Sequence, residues 1–226
     1  MFPGACGDND QVSFTRAMAI SCNTAFAAVG MDIGADALRA QAEKFGFGDS
    51  LSVPMRATPS TIPAELNMPQ LAQSSIGQFD VRVTPLQMAM VAAGVANDGA
   101  VMKPYLVQSV IGSDLSVIET TDPQELSQAV TPDVAAQLTR MMEAVVTDGS
   151  GTRAQIDGVA VAGKSGTAQH GEGRKPHAWF ISFAPADDPQ IAVAVIAEDG
   201  GTTGSEIGGG RVAAPIARQM MEARLK

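Results

Sequence analysis

The sequence predicts a mixed α/β domain of the α+β kind, an antiparallel sheet flanked by helices. Three observations carry this. Apolar runs at Val159–Gln169, Ala178–Ala184 and Ile191–Glu198 are separated only by the polar Gly171–Pro176 loop and by Pro185-Ala-Asp-Asp-Pro189, and successive strands joined so closely pair antiparallel. Thr84-Pro85 and Thr131-Pro132 each stand before an apolar run, an N-cap followed by proline in the first helical turn. A last helix over Arg211–Arg224 is able to cover one face of the sheet.

In chain order, Ser13 to about Val29 is rich in Ala, Met, Ile and Phe and reads as helix interrupted at Ser21-Cys22-Asn23, because Ser and Asn bond the local backbone in competition with helix. Gly34–Phe45 is a second helix with Ala37, Leu38, Ala42 and Phe45 on one stripe and Gly46 as its stop. Gly46–Gln78, with Pro54, Pro59, Pro63 and Pro69, reads as one long connection, a length that is usually functional or mobile. From Thr84 to about Ala96 the helix is apolar nearly all round, so it is buried. Val101–Ile111 reads as strand and Ser116–Thr120 as its return. The helix opened by Thr131-Pro132-Asp133 runs through Val134, Leu138, Met141, Met142 and Val145, and Gly149-Ser-Gly-Thr152 is a turn. No internal repeat is present.

At 226 residues and 45% hydrophobic, the chain has the size and apolar content of one domain. Its net charge of −9 is spread along the chain, which argues against nucleic acid and against an anionic membrane surface. Twelve Met residues point to adaptable core packing. No apolar run is long enough to span a membrane. Met1-Phe-Pro-Gly has neither a basic n-region nor an apolar h-region and reads as loop, so the expectation is a piece of a longer protein. Cys6 and Cys22, with two histidines, are too few for a zinc site. They are either free thiols or a pair closing a loop of about 15 residues, which would stabilise by about 3 kcal/mol.

The chemistry concentrates at Gly158-Val-Ala-Val-Ala-Gly-Lys164-Ser165-Gly166-Thr167. This stretch also matches the phosphate-binding pattern G-x-x-x-x-G-K-[ST]. That pattern needs a loop before the lysine and a helix after it. Here Val-Ala-Val-Ala prefers extended backbone, and Gly166, Gly171, Gly173 and Pro176 fall where the helix would run. The better reading is a strand lining a cleft, with Lys164 and Gly166 on one face and a cation and two hydroxyls suited to a carboxylate-bearing ligand. His170 and His177 flank a polar loop and lack further ligands, so no metal is assigned, and no cofactor.

Ser21-Cys-Asn23 and Lys164-Ser-Gly166-Thr167 together resemble two of the three signature motifs of the penicillin-binding proteins, S-x-N and K-[ST]-G. Val83-Thr-Pro-Leu-Gln-Met-Ala-Met90, Ala96-Asn-Asp-Gly99 with Pro104-Tyr105, Gly149-Ser-Gly-Thr152 and His177-Ala-Trp-Phe-Ile-Ser-Phe-Ala-Pro185 extend the likeness to the class B transpeptidase domain, most closely the actinobacterial PbpA-like group. The resemblance spans essentially the whole chain, as a single domain over residues 1–226 with a beta-lactamase/transpeptidase-like fold.

What the resemblance implies is acyl transfer on the D-Ala-D-Ala end of a peptidoglycan stem peptide, with beta-lactams as trapping mimics. Ser21 would relay a proton to the leaving amine, and Asn23 would hold the substrate amide. Lys164 would keep Ser21 oriented and the field positive. Ser165 and Thr167 would bind the terminal carboxylate beside Gly166, and the Thr167 N–H would serve an oxyanion hole. The implied location is the extracytoplasmic face of the membrane, with anchorage through a segment outside this sequence and divisome or elongasome proteins as partners. Such a compartment permits a Cys6–Cys22 disulfide, which would pin the turn bearing Ser21 and Asn23.

Two departures stand out. No serine in the chain has lysine three positions on, so the S-x-x-K motif with the nucleophile is missing. The resemblance places that motif upstream, and the expectation is a domain incomplete at its N-terminus and unable to acylate alone. Phe79, in Gly77-Gln78-Phe79, stands where many relatives have glycine. The competing readings are a non-catalytic module that binds peptidoglycan or division proteins, and a serine beta-lactamase-like hydrolase, for which no deacylating base is evident.

Overall fold

The computed structural model describes residues 6, 12–200 and 208–226. Helices α1 (Phe14–Ala19), α2 (Asn23–Ile33), α3 (Ala35–Lys44), α4 (Met68–Ser74) and α5 (Pro85–Ala96) come first. Short strands β1 (Ala100–Met102), β2 (Ser109–Ile111), β3 (Val117–Thr120) and β4 (Glu125–Gln128) follow, then α6 (Pro132–Asp148). Strands β5 (Ala162–Ala168), β6 (His177–Ala184) and β7 (Ile191–Ala197) and helix α7 (Gly209–Leu225) complete the order. Among the described residues no helix is long and apolar enough to cross a membrane.

The sheet that positions the site is the antiparallel meander β5-β6-β7. Because side chains alternate along each strand, β6 sends Phe180 and Ala184 to one face, where with Val193 and Val195 they meet Ala213, Ala214, Ala217 and Met221 of α7. It sends Phe183 to the other face, where with Ala162 it meets Val95 of α5 and Met142 of α6. Both phenylalanines are fully buried, each stabilising by about 2–3 kcal/mol. The alanine stripe of α7 lets that helix lie close to the sheet. Both Thr-Pro starts hold: Thr84 accepts from Gln87 N–H and Thr131 from Val134 N–H.

Three expectations are corrected. The connection 46–78 contains α4, opened by a reciprocal cap in which Asn67 accepts from Gln70 N–H and the Gln70 side chain accepts from Asn67 N–H, both at 3.0 Å. Pro69, counted as a loop residue, sits in the first turn of that helix, where a missing N–H costs nothing. The run 101–111 is two strands, because Pro104 cannot donate to a ladder. β1 pairs with β4, and β2 with β3. Strand β5 begins at Ala162, while Val159 belongs to a small bridge with Ile156.

Candidate functional site

Helix α1 ends on a left-handed residue. Ser21 has φ 56; its N–H bonds Met18 O at 3.2 Å, and the Cys22 N–H bonds Ala17 O at 2.8 Å. This pair of bonds closes a helix in the Schellman arrangement, whose left-handed position is normally glycine. A serine there carries about 1–2 kcal/mol of strain. Helix α2 starts immediately after Cys22, so Ser21 and Asn23 both line one cleft of about 790 Å³ whose opposite wall is β5.

From that wall Lys164 Nζ donates to Ser21 Oγ at 2.7 Å and to Ser165 O at 2.7 Å. Removal from water lowers its pKa from 10.5 to about 8, since burial disfavours the charged form. Lys164 therefore stays mostly cationic at neutral pH. Its N–H occupies a lone pair of Ser21 and leaves the Ser21 proton free.

Ser165, Gly166 and Thr167 line the same wall. Among the described residues β5 is an edge strand of its sheet, and Thr167 O accepts from Gln78 Nε2 at 3.0 Å, so this carbonyl points away from β6. In an antiparallel ladder the N–H and C=O of one residue leave on the same side, and the Thr167 N–H faces the same way. Gly209, opening α7, packs on this strand so tightly that a Cβ there would lie 2.6 Å from Gly166 O and collide with Trp179 O. The strand runs on to Ala168 with no helix opening at Lys164, which removes the phosphate-loop reading.

The structure thus brings together Ser21, Asn23, Lys164, Ser165, Gly166 and Thr167. Cys6 and Cys22 also meet, with their sulfurs bonded and Cα atoms 5.7 Å apart, within the span of a disulfide. Among the residues of the cleft that sequence reasoning did not assign are Gln78 and Ser150. Gln78 is presented by left-handed residues on either side, Gly77 at φ 75 and Phe79 at φ 59; Phe79 takes up the conformation that glycine adopts freely, so the bend persists with phenylalanine in place. Ser150, read as part of a turn and of the Gly149-Ser-Gly-Thr152 likeness but given no site role, places its Oγ 2.6 Å from Ser165 Oγ. The Gly77-Gln-Phe79 departure was a signal for the first. The Gly149-Ser-Gly-Thr152 stretch was a signal for the second, without saying which strand its hydroxyl would face.

His170 and His177 stack with ring centroids 3.6 Å apart and planes within 10°. Asp199 is the third group the sequence did not supply: its Oδ1 lies 2.9 Å from His170 Nε2, and its N–H donates to His177 Nδ1 at 3.1 Å. The Arg174 guanidinium bonded to Asp199 holds its carboxyl below the usual range. Although these three groups lie close enough to be considered for a metal ion, nearly parallel rings keep their in-plane lone pairs in separate planes and cannot both aim at one ion. The hydrogen bond of His170 Nε2 is to Lys175 O at 3.0 Å, and the cluster sits at the far end of the β5–β6 hairpin.

Residues 5–222 match the family profile described as the penicillin binding protein transpeptidase domain. The chain is 48% identical to the peptidoglycan D,D-transpeptidase PbpA of Mycolicibacterium smegmatis over 100% of this chain and 46% of that protein. It is 45% identical to the Mycobacterium tuberculosis protein of the same name, over 98% of this chain and 45% of that one. The crystal structure of PBPA from Mycobacterium tuberculosis superposes with a TM-score of 0.91 at 44% identity, over 98% of this chain and 53% of that one. Its ceftriaxone acyl-enzyme complex gives 0.93 at 44% identity, over 98% and 50%. The chain spans about half the length of the curated relatives it matches.

Proposed function

The chain belongs to the penicillin-binding protein transpeptidase family, and from that premise we propose that it is the part of a peptidoglycan D,D-transpeptidase domain that holds the S-x-N and K-S-G walls of a serine acyl-transfer site. The observation that carries the reading is the 2.7 Å contact from Lys164 Nζ to Ser21 Oγ. A buried cation donating to a hydroxyl fixes the direction in which that hydroxyl can give its own proton.

In the proposed reaction a serine hydroxyl from outside this sequence attacks the carbonyl of the penultimate D-Ala. A new ester bond forms as the attacking hydroxyl gives up its proton, the bond to the terminal D-Ala breaks, and the departing amine takes up a proton in its place. Ser21 passes that proton on, held in place by Lys164, and Asn23 receives the peptide amide. The hydroxyls of Ser165 and Thr167 bind the terminal carboxylate within the positive field of Lys164, and the outward Thr167 N–H stabilises the oxyanion, an arrangement whose value comes from being in place before reaction. The ester is then resolved by an amine of a neighbouring strand, which restores the serine and forms the cross-link. A beta-lactam follows the first half of this path, its ring amide opening in place of the peptide bond. The reading carries with it an extracytoplasmic location, membrane anchorage outside these residues, and work beside division or elongation proteins.

Covalent labelling by a fluorescent penicillin tests this, on the present chain and on the protein made with the coding sequence that precedes it. The expected result is labelling of the longer protein alone. A longer protein that folds and stays unlabelled removes the enzymatic reading and leaves a binding or scaffolding role.

A further inference from the structure

The turn at Gly149-Ser150-Gly151 touches both walls of the cleft. The Ser150 N–H donates to Ala19 O at 2.8 Å, two residues before Ser21. Its Oγ reaches Ser165 Oγ on β5 at 2.6 Å. The glycines about it leave no slack: a Cβ on Gly149 would collide with Ala19 O, one on Gly151 would stand 3.0 Å from the Phe180 ring, and one on Gly210 would strike Ser150 O. Ser150 is thus held by its backbone, and its hydroxyl is the part left to act.

We propose that Ser150 is a positioning residue for the carboxylate end of the substrate, donating its proton to Ser165 Oγ so that the Ser165 proton points at the ligand. A hydroxyl has one proton to give and two lone pairs to receive with, whereas a carboxylate only accepts. When Ser165 bonds a carboxylate its single proton is committed there, so the 2.6 Å contact must then run from Ser150 to Ser165. Lys164 does not take this part, since its ammonium goes to Ser21 Oγ and to the Ser165 carbonyl oxygen. Ser165 Oγ is also poorly placed to find water instead, the residue being 9% exposed. Two hydroxyls in series polarise one another, and the second of them strengthens a bond to a charged acceptor.

This inference rests on the transpeptidase reading, and the test separates the two. The longer protein, as wild type, Ser150→Ala and Ser150→Thr, is reacted with a fluorescent penicillin and with the methyl ester of the same compound, and the second-order labelling rates are compared. Ser150→Ala keeps the backbone bond to Ala19 and should slow the free acid by about tenfold, the usual scale for a hydrogen bond serving a charged group, while leaving the ester rate within about twofold. Ser150→Thr should restore the free-acid rate. Equal losses for acid and ester, which a loosened turn would produce, overturn the inference, as does an unchanged acid rate. If wild type is labelled by neither compound, the transpeptidase reading itself fails and the inference falls with it.

Discussion

Lys164→Met is the substitution that isolates the electrostatics of the cleft. In the folded chain the pKa of Lys164 lies at about 8 against an ordinary 10.5, with burial as the cause. At about 1.4 kcal/mol per pH unit that gap costs the folded state about 3 kcal/mol whenever the lysine is charged in both states. Between about pH 8 and pH 10.5 the unfolded chain binds more protons than the native one, so stability rises with pH across that window. Subtracting Lys164→Met from wild type at each pH cancels every other titrating group. Whatever hydrogen bonding the uncharged amine retains at Ser21 Oγ and Ser165 O adds an offset that does not vary with pH. Urea unfolding of both chains should therefore show the stability of wild type relative to the variant improving by about 2.5 kcal/mol from pH 7 to pH 10. A difference that stays flat over this range would mean that Lys164 titrates normally and that the burial argument is wrong.

Other perturbations test separate parts of the fold. Gly209→Ala drives a Cβ into Trp179 O and the Gly166 backbone, and should destabilise by about 3 kcal/mol or more, read as a drop in the urea midpoint. Cys6→Ala should cost about 3 kcal/mol under oxidising conditions and nothing extra in reductant, which distinguishes the loss of a bridge to Cys22 from a packing effect. Ser182 is fully buried with a hydroxyl that has no hydrogen-bond partner among the described residues, so Ser182→Ala should stabilise by about 1 kcal/mol in the same assay. Asp199→Asn should lower the melting temperature at pH 7. Because its carboxyl is held below the usual range by Arg174, that deficit should persist as pH falls to about 4 and fade only below it.

Much of the fold was legible because its signals are local. The Thr-Pro starts of α5 and α6 need only an N-cap and a tolerated proline within one turn. The β5-β6-β7 meander follows from apolar runs separated by connections too short to cross over. Local signals also misled where one residue type has two uses. Pro69 reads as loop yet sits in the first turn of α4, and Val101–Ile111 reads as one strand because composition does not reveal where Pro104 breaks the ladder.

The site divides the same way. The sequence on its own singled out Ser21, Asn23 and Lys164 to Thr167 as candidates, since they stand in motifs whose residue types and order have meaning before any folding. Only the tertiary structure decided that Lys164 reaches Ser21 across 143 positions, that Ser150 stands behind Ser165, that Gln78 caps the outer edge of β5 at Thr167, and that Asp199 joins the two histidines. These are products of how α1, α6, α7 and the sheet pack against one another. Burial and distance act through space, and a hydroxyl in a turn carries no mark of which strand it will face.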